Sequence, residues 1–381
     1  VNEADTRAHR IAIFGAYSDH DLYQRNRTLV KLFEQLSEES IRIRPRSRGT
    51  GHGFSVGRSL IGRVRQITSD VLSLWSQRSR LRGFDTIFVP YPAYLDILCL
   101  WLFGQLRGRR LIADAFLELH STVVEDRALI PAGSLRARGL RAFQRFSLSK
   151  ADVLLIDTVA QGELLRKQLE PAKTRVIDVP VGIDENLWSP LAAPEVSGRI
   201  RVVFWGTFIP LHGIEHIVAA ARLLESRGSQ VEIRLIGDGQ TAEAIAEELK
   251  HQRPVHLRWD RKLLDTDDLR AAISEAHLVL GVFGDSAKAS SVVPYKVHQA
   301  LACNRPVITR SSPALNAVSD PERGLFVCPP GDAEAIADLI DAVCAGLRAG
   351  WIAGTREIYE AHFSSQVISK RLELAMDRTA Q

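Results

Sequence analysis

The stretch RVVFWGTFIPLHGIEHIVAAARLL, Arg201–Leu224, decides the fold. RVVFW is a short β-branched and aromatic run, the pattern of a strand buried on both faces. It stops at Gly206. Ile214, Ile217, Val218, Ala221 and Leu224 then recur at helical spacing. A buried strand, a glycine-containing turn and a helix with one apolar face begin a βαβ unit.

The same pattern extends in both directions. Toward the N-terminus, strands are expected at Arg10–Gly15, Thr86–Pro90, Leu111–Ala115, Val153–Asp157 and Arg175–Val179, with a helix over Leu22–Leu36. Toward the C-terminus they are expected at Val231–Gly237, Val255–Trp259, Leu278–Val282, Pro306–Thr309 and Gly324–Val327. Between the two series Ser189–Ser197 (SPLAAPEVS) reads as a linker. The expected fold class is therefore α/β. Two Rossmann-like domains with parallel sheets, residues 1–188 and 189–381, are expected to face a central cleft.

Composition fits this reading. The chain has 381 residues, too many for one ordinary core, and 45% of them are hydrophobic against 25% charged. Disorder as the main state is excluded. Cys99, Cys303, Cys328 and Cys344 are scattered without a CxxC pair and read as buried thiols in a reducing compartment. The polar start VNEADTRAHR carries no signal region, and no apolar run is long enough to span a bilayer. A cytoplasmic location follows as an expectation, with a peripheral place on the inner face of the membrane as an extension of it.

The net charge of +4 is unevenly placed. The most one-sided stretch holds Arg58, Arg63, Arg65, Arg78, Arg80 and Arg82 against Asp70 alone. It is followed by the apolar Tyr94–Leu106, then by Arg107, Arg109 and Arg110. Together they suggest a surface for anionic membrane and a lipid-linked acceptor; a solvated basic face is the alternative. Aromatics do not interleave with the arginines, so nucleic acid is not expected as a partner.

In open α/β sheets ligands bind beyond the carboxyl ends of the strands. At Gly206–Gly213 (GTFIPLHG) backbone can approach a ligand, and the following helix offers free N–H groups to a diphosphate. His212 stands ready to donate to it; a surface histidine is the alternative. Gly237 opens a second such turn, a weak signal alone. In FGDSAKASSVVPYKVHQALACNRP, Phe283–Pro306, the residues Lys288, Ser290, Ser291 and Lys296 gather cations and hydroxyls at the same edge, chemistry suited to a diphosphate sugar.

The motifs VPVGIDENLWSP (Val179–Pro190), FWGTFIPLHGIEHIVAAARLL (Phe204–Leu224), IRLIGDGQ (Ile233–Gln240) and YKVHQALACNRPVIT (Tyr295–Thr309) make the second half resemble the retaining GT-B glycosyltransferases of family 4. The resemblance is good over about 175–345 and holds only in outline before it. It implies a GT-B fold, with the C-terminal helix crossing back to the first domain. It also implies a metal-independent hexosyltransferase, acting with retention in cell-surface polysaccharide assembly. The donor would be a nucleotide sugar, UDP- or GDP-linked, bound as substrate with no cofactor. An epimerase and a non-catalytic sugar-nucleotide-binding homologue are the alternatives. Thr207 and His212 replace the family's Arg and Lys; Ser291 and Gln299 replace its paired glutamates. Gly15, Gly206, Thr207, His212, Gly237, Lys288, Ser290, Ser291, Lys296 and Gln299 become the donor-binding candidates.

The first domain would bind the acceptor. Asp114 ends a strand where relatives often carry a His near the reacting sugar, and is the candidate catalytic base; a helix cap or a buried pair with an Arg is the alternative. Tyr17, Arg25, Glu118, His120, Asp126 and Arg127 are the candidate acceptor contacts. No residue spacing suits a metal, so none is expected.

Overall fold

The buried runs assemble into two parallel sheets of six strands each. The computed structural model describes residues 9–19, 23–46, 60–116, 119–120, 123–124, 130–131, 133–171, 173–285, 290–351 and 353–377, without the side chains of residues 60, 61 and 63. Two units result: Val1–Gly182 with Ser365–Gln381, and Ile183–Ser364.

In the first unit the order along the chain is β1 (Arg10–Phe14), α1 (Gln24–Leu36), β2 (Glu39–Ile43), α2 (Leu60–Ser76), β3 (Thr86–Val89), α3 (Tyr94–Leu102) and β4 (Arg110–Asp114). It continues with α4 (Leu135–Leu148), β5 (Val153–Ile156), α5 (Val159–Leu169) and β6 (Arg175–Asp178). The sheet runs β2-β1-β3-β4-β5-β6, all parallel, with its switch of direction between β1 and β3. β2 has no counterpart among the expected strands. It is an edge strand, ESIRI, in which only Ile43 is buried, so it lacks the apolar run that marks its neighbours.

The second unit comprises β7 (Ile200–Trp205), α6 (Ile214–Ser226), β8 (Val231–Ile236), α7 (Ala242–His251), β9 (Leu257–Asp260), α8 (Thr266–Glu275), β10 (Leu278–Leu280), α9 (Tyr295–Ala302), β11 (Val307–Arg310), α10 (Pro313–Asn316), β12 (Leu325–Cys328), α11 (Ala333–Arg348) and α12 (Thr355–His362). The sheet order β12-β11-β10-β7-β8-β9 is that of a doubly wound dinucleotide-type domain, with the switch point between β7 and β10. One apolar core joins Val202, Phe204 and Leu235 to Ile214, Ile217, Ile336 and Ile340; another joins Val203, Trp205 and Val279 to Val297, Leu301 and Tyr359.

The last helix, α13 (Ser365–Met376), belongs to the first unit. Its Ile368, Leu372, Ala375 and Met376 are buried with Leu29 and Phe33 of α1 and with Ile177. Its closing carbonyls are bound as well: Arg110 Nε donates to Ala375 O at 2.9 Å and Arg175 Nη1 to Leu374 O at 3.0 Å.

The units meet in sequence at Gly182/Ile183, ahead of the 188/189 boundary that composition suggests. The reason is packing. Ile183 and Trp188 are buried in the second core, and the Pro- and Ala-rich segment is held there by Arg305. That buried guanidinium donates to the carbonyls of Leu191 (3.1 Å), Ala192 (2.7 Å), Ile273 (3.0 Å) and Ser274 (3.1 Å). The four cysteines are unpaired and buried. No helix among the described residues is long and apolar enough to cross a membrane.

Candidate functional site

The switch point of the second sheet is built from two interlocked turns. β7 ends at Trp205, and Gly206 follows with φ 147°, a conformation open to glycine and strained for other residues. A β-carbon there would stand 3.0 Å from His212 Cε1 and 3.2 Å from Lys296 Nζ, so these two side chains cover the turn. Gly237, at the end of β8 with φ 145°, leaves room for the Gly206 carbonyl where a side chain would collide with it. On the other side the chain after β10 closes in: Phe283 N donates to His212 O at 3.1 Å and Gly284 N to Leu211 O at 3.2 Å.

Lys296 is the unusual group here. It lies in the first turn of α9 and is 6% exposed. Its Nζ sits 3.6 Å from the centre of the Phe204 ring and has no hydrogen-bond partner among the described residues. Burial pushes the ammonium well below its ordinary pKa. His212 Nδ1 also lacks a partner among the described residues. Burial, reinforced by Lys296, pushes the imidazole down to about 2, so it is neutral at working pH. Lys296 Nζ and His212 Nδ1, each without a hydrogen-bond partner among the described residues, thus face the same glycine turn at the carboxyl edge of the sheet.

The other donor candidates divide. Gln299 is buried and accepts from Trp205 Nε1 at 3.4 Å. Thr207 is exposed, while Ser290 and Ser291 are partly buried before α9. Lys288 lies outside the described residues. Arg310, which the sequence did not single out, ends β11 and donates through Nη1 to Gly284 O at 2.5 Å, steadying the second turn. Its signal was available: a basic residue closing an apolar strand at the ligand edge.

In the first unit, Gly15 follows β1 and precedes Ala16, whose amide donates to Asp96 Oδ2 at 2.9 Å. Asp96 closes this switch point from α3 and is a second residue the sequence reading passed over. Tyr17 is buried under the Arg44 guanidinium, 4.1 Å from its ring centre, and burial pushes its hydroxyl up to about 12.

Asp114 and Arg25 meet each other. Arg25 Nε donates to Asp114 Oδ1 and Oδ2 at 3.0 Å each, Nη2 to Oδ1 at 2.9 Å, and Nη1 to Val179 O at 2.6 Å. Their side chains are 3% and 0% exposed. Burial pushes the Asp114 carboxyl up and Arg25 opposes it, with both carboxylate oxygens held by the guanidinium. This is the buried pair with an Arg that stood as the alternative to a catalytic base. Arg25 commits its Nε, Nη1 and Nη2 to Asp114 and the Val179 carbonyl. His120 is partly buried, its amide donating to Gln144 Oε1 at 2.9 Å. Glu118, Asp126 and Arg127 lie outside the described residues.

The basic stretch falls on α2 and the turn after it, with Arg58 outside the described residues. Asp70, its one acid, is 4% exposed, so among the described side chains of this stretch the acid is turned away from solvent. Val64, Leu72 and Trp75 on α2 and Leu95, Trp101 and Leu102 on α3 are exposed, as is Phe146 on α4. Lys150 stands 4.1 Å from the Phe146 ring and Arg78 4.0 Å from the Trp75 ring.

Residues 199–345 match the family model described as Glycosyl transferases group 1. The chain is 26% identical over 235 residues to the Probable glycosyltransferase WbjE of Pseudomonas aeruginosa, across 57% of this chain and 56% of that protein. Thus it matches little more than half the length of that relative. Among solved structures it resembles sucrose-phosphate synthase from Thermosynechococcus elongatus, with TM-score 0.68, 16% identity, and 96% and 98% of the two chains covered. It also resembles Anabaena HepE in complex with UDP, with TM-score 0.67, 12% identity, and 97% and 99% covered. These likenesses show a GT-B fold of two Rossmann-like domains, the second of which carries the match to the group 1 glycosyl transferase model.

Proposed function

We propose that the chain is a glycosyltransferase moving a hexose-type sugar, with retention, from a nucleotide-diphosphate donor to a hydroxyl acceptor. The observation that carries this is Lys296. A buried amine without a hydrogen-bond partner among the described residues, set over the glycine turn of a nucleotide-type switch point, calls for an anionic ligand. The diphosphate lies along Gly206 and Gly237, with His212 and Lys296 donating to its oxygens. Gln299 faces the nucleoside as a neutral hydrogen-bonding group. No metal is needed where a lysine and helix N-termini meet the charge. HepE, described in complex with UDP and with UDP-glucose, supports a UDP-sugar as the first donor to test. A thermal-shift screen of UDP-, GDP- and TDP-sugars tests the reading: at least one raises the melting temperature of the wild type. If none does, the chain is not a nucleotide-sugar enzyme.

The first unit takes the acceptor, a glycan or lipid-linked glycan of cell-surface assembly, at the inner face of the membrane. The exposed aromatics of α2–α4, set among arginines on a face whose acid is buried, favour a peripheral contact with anionic lipid. Flotation with vesicles containing anionic lipid, against neutral vesicles, checks it. Trp75→Ala with Trp101→Ala weakens the binding, and equal flotation with neutral vesicles would contradict the charge argument.

A further inference from the structure

β5 runs into α5 through Asp157 and Thr158. Thr158 is committed: its Oγ1 accepts from Gln161 N at 3.2 Å and caps the helix. Asp157 is not. It is 8% exposed, and its Oδ1 has no hydrogen-bond partner among the described residues. A carboxylate oxygen buried without a partner is costly, and at the carboxyl edge of a parallel sheet it marks a place where a ligand completes the bonding.

The surroundings narrow the class of ligand. The charged groups that act on Asp157 are Arg25 from α1 and Asp114 at the end of β4, along with the amides of Asp157 and Thr158. Arg25 is already bound to Asp114 and the Val179 carbonyl. Burial pushes the Asp157 carboxyl up to about 7, with Arg25 pulling the other way. A cationic ligand would meet the guanidinium. A metal would need more ligands, and no three His, Cys, Asp or Glu converge among the described residues. A neutral hydroxyl donor supplies the missing hydrogen bond without adding charge.

We infer that Asp157 is the carboxylate that accepts a hydroxyl hydrogen bond from a sugar-like, polyhydroxylated acceptor at the edge of the first sheet. The Arg25–Asp114 pair beside it is a positioning pair that fixes the end of β4. The inference rests on the glycosyltransferase reading for its choice of ligand, but uses none of the donor-site residues.

The test titrates methyl glycosides of glucose, galactose, mannose and N-acetylglucosamine into the full chain saturated with UDP, followed by saturation-transfer NMR. At least one glycoside binds the wild type, and the binding strengthens as pH rises through about 7 and the carboxyl ionises. Asp157→Asn weakens it roughly ten- to hundredfold and removes the pH dependence. UDP affinity measured on the same variant stays at the wild-type value, which shows that the variant is folded. No glycoside binding to the wild type, equal binding to Asp157→Asn, or a pH dependence that survives the substitution each overturns the inference. Failure of UDP to bind the wild type would instead count against the donor reading.

Discussion

Donor binding is expected to take up a proton at Lys296, and the structure sets the sign. Before the donor binds, the Phe204 ring at 3.6 Å favours the ammonium. Such a contact contributes about 0.5–2 kcal/mol. Burying an ion without a partner costs several kcal/mol, so the neutral amine wins and the pKa falls well below the ordinary value. A diphosphate oxygen about 4 Å away would restore about 4 kcal/mol per unit charge at an effective dielectric near 20. That corresponds to roughly three pKa units upward. Between the two pKa values the complex holds a proton that the free protein lacks. Affinity therefore weakens as pH rises through that window, by up to about tenfold per unit. His212 stays neutral throughout and adds nothing to the uptake.

Isothermal calorimetry with UDP-glucose, whose diphosphate does not titrate near neutrality, provides the assay. Within that window the enthalpy should differ between Tris and HEPES buffers in proportion to the proton taken up. Lys296→Met should bind at least tenfold more weakly and show no buffer dependence. Buffer-independent enthalpy in the wild type, or identical behaviour of the variant, would rule out proton uptake at Lys296.

Other consequences are open to measurement. Asp114→Ala leaves a buried guanidinium unpaired and should cost about 3–5 kcal/mol, read as a lowered denaturant midpoint. Asp157 has a folded pKa above its unfolded value, so it binds its proton more tightly when folded. Stability should fall as pH rises from about 4 to about 7, by at most about 4 kcal/mol from this group, and urea melts of Asp157→Asn should show a shallower fall. Gly206→Ala forces a side chain into a left-handed backbone against His212 and Lys296; a loss of about 1–3 kcal/mol in stability and reduced nucleotide affinity are expected.

Much of this was legible in the chain itself. Strands such as RVVFW and VEIRLI are buried on both faces, so they carry apolar runs that need no partner to be recognised. β2 is exposed along most of its length and carries no such run. The residues at strand ends pointed to the ligand edge, and His212 and Lys296 do converge on Gly206. What a strand-end residue does there was not legible. Asp114 and Asp157 end neighbouring strands with the same local pattern, yet only Asp114 meets Arg25, a residue 89 positions away. Pairing over such distances depends on the completed fold, which local sequence does not record. The boundary at Gly182 has a similar cause, since Ile183 and Trp188 are buried in the second core by packing that composition does not record.

Hydrogen exchange with and without the nucleotide sugar identified by thermal shift tests the central claim most directly. Protection is expected in peptides spanning Gly206–Gly213 and in the stretch from Phe283 to Gln299, lost in Lys296→Met at the same ligand concentration. Protection confined to other regions, or none with any of the UDP-, GDP- and TDP-sugars, would contradict it.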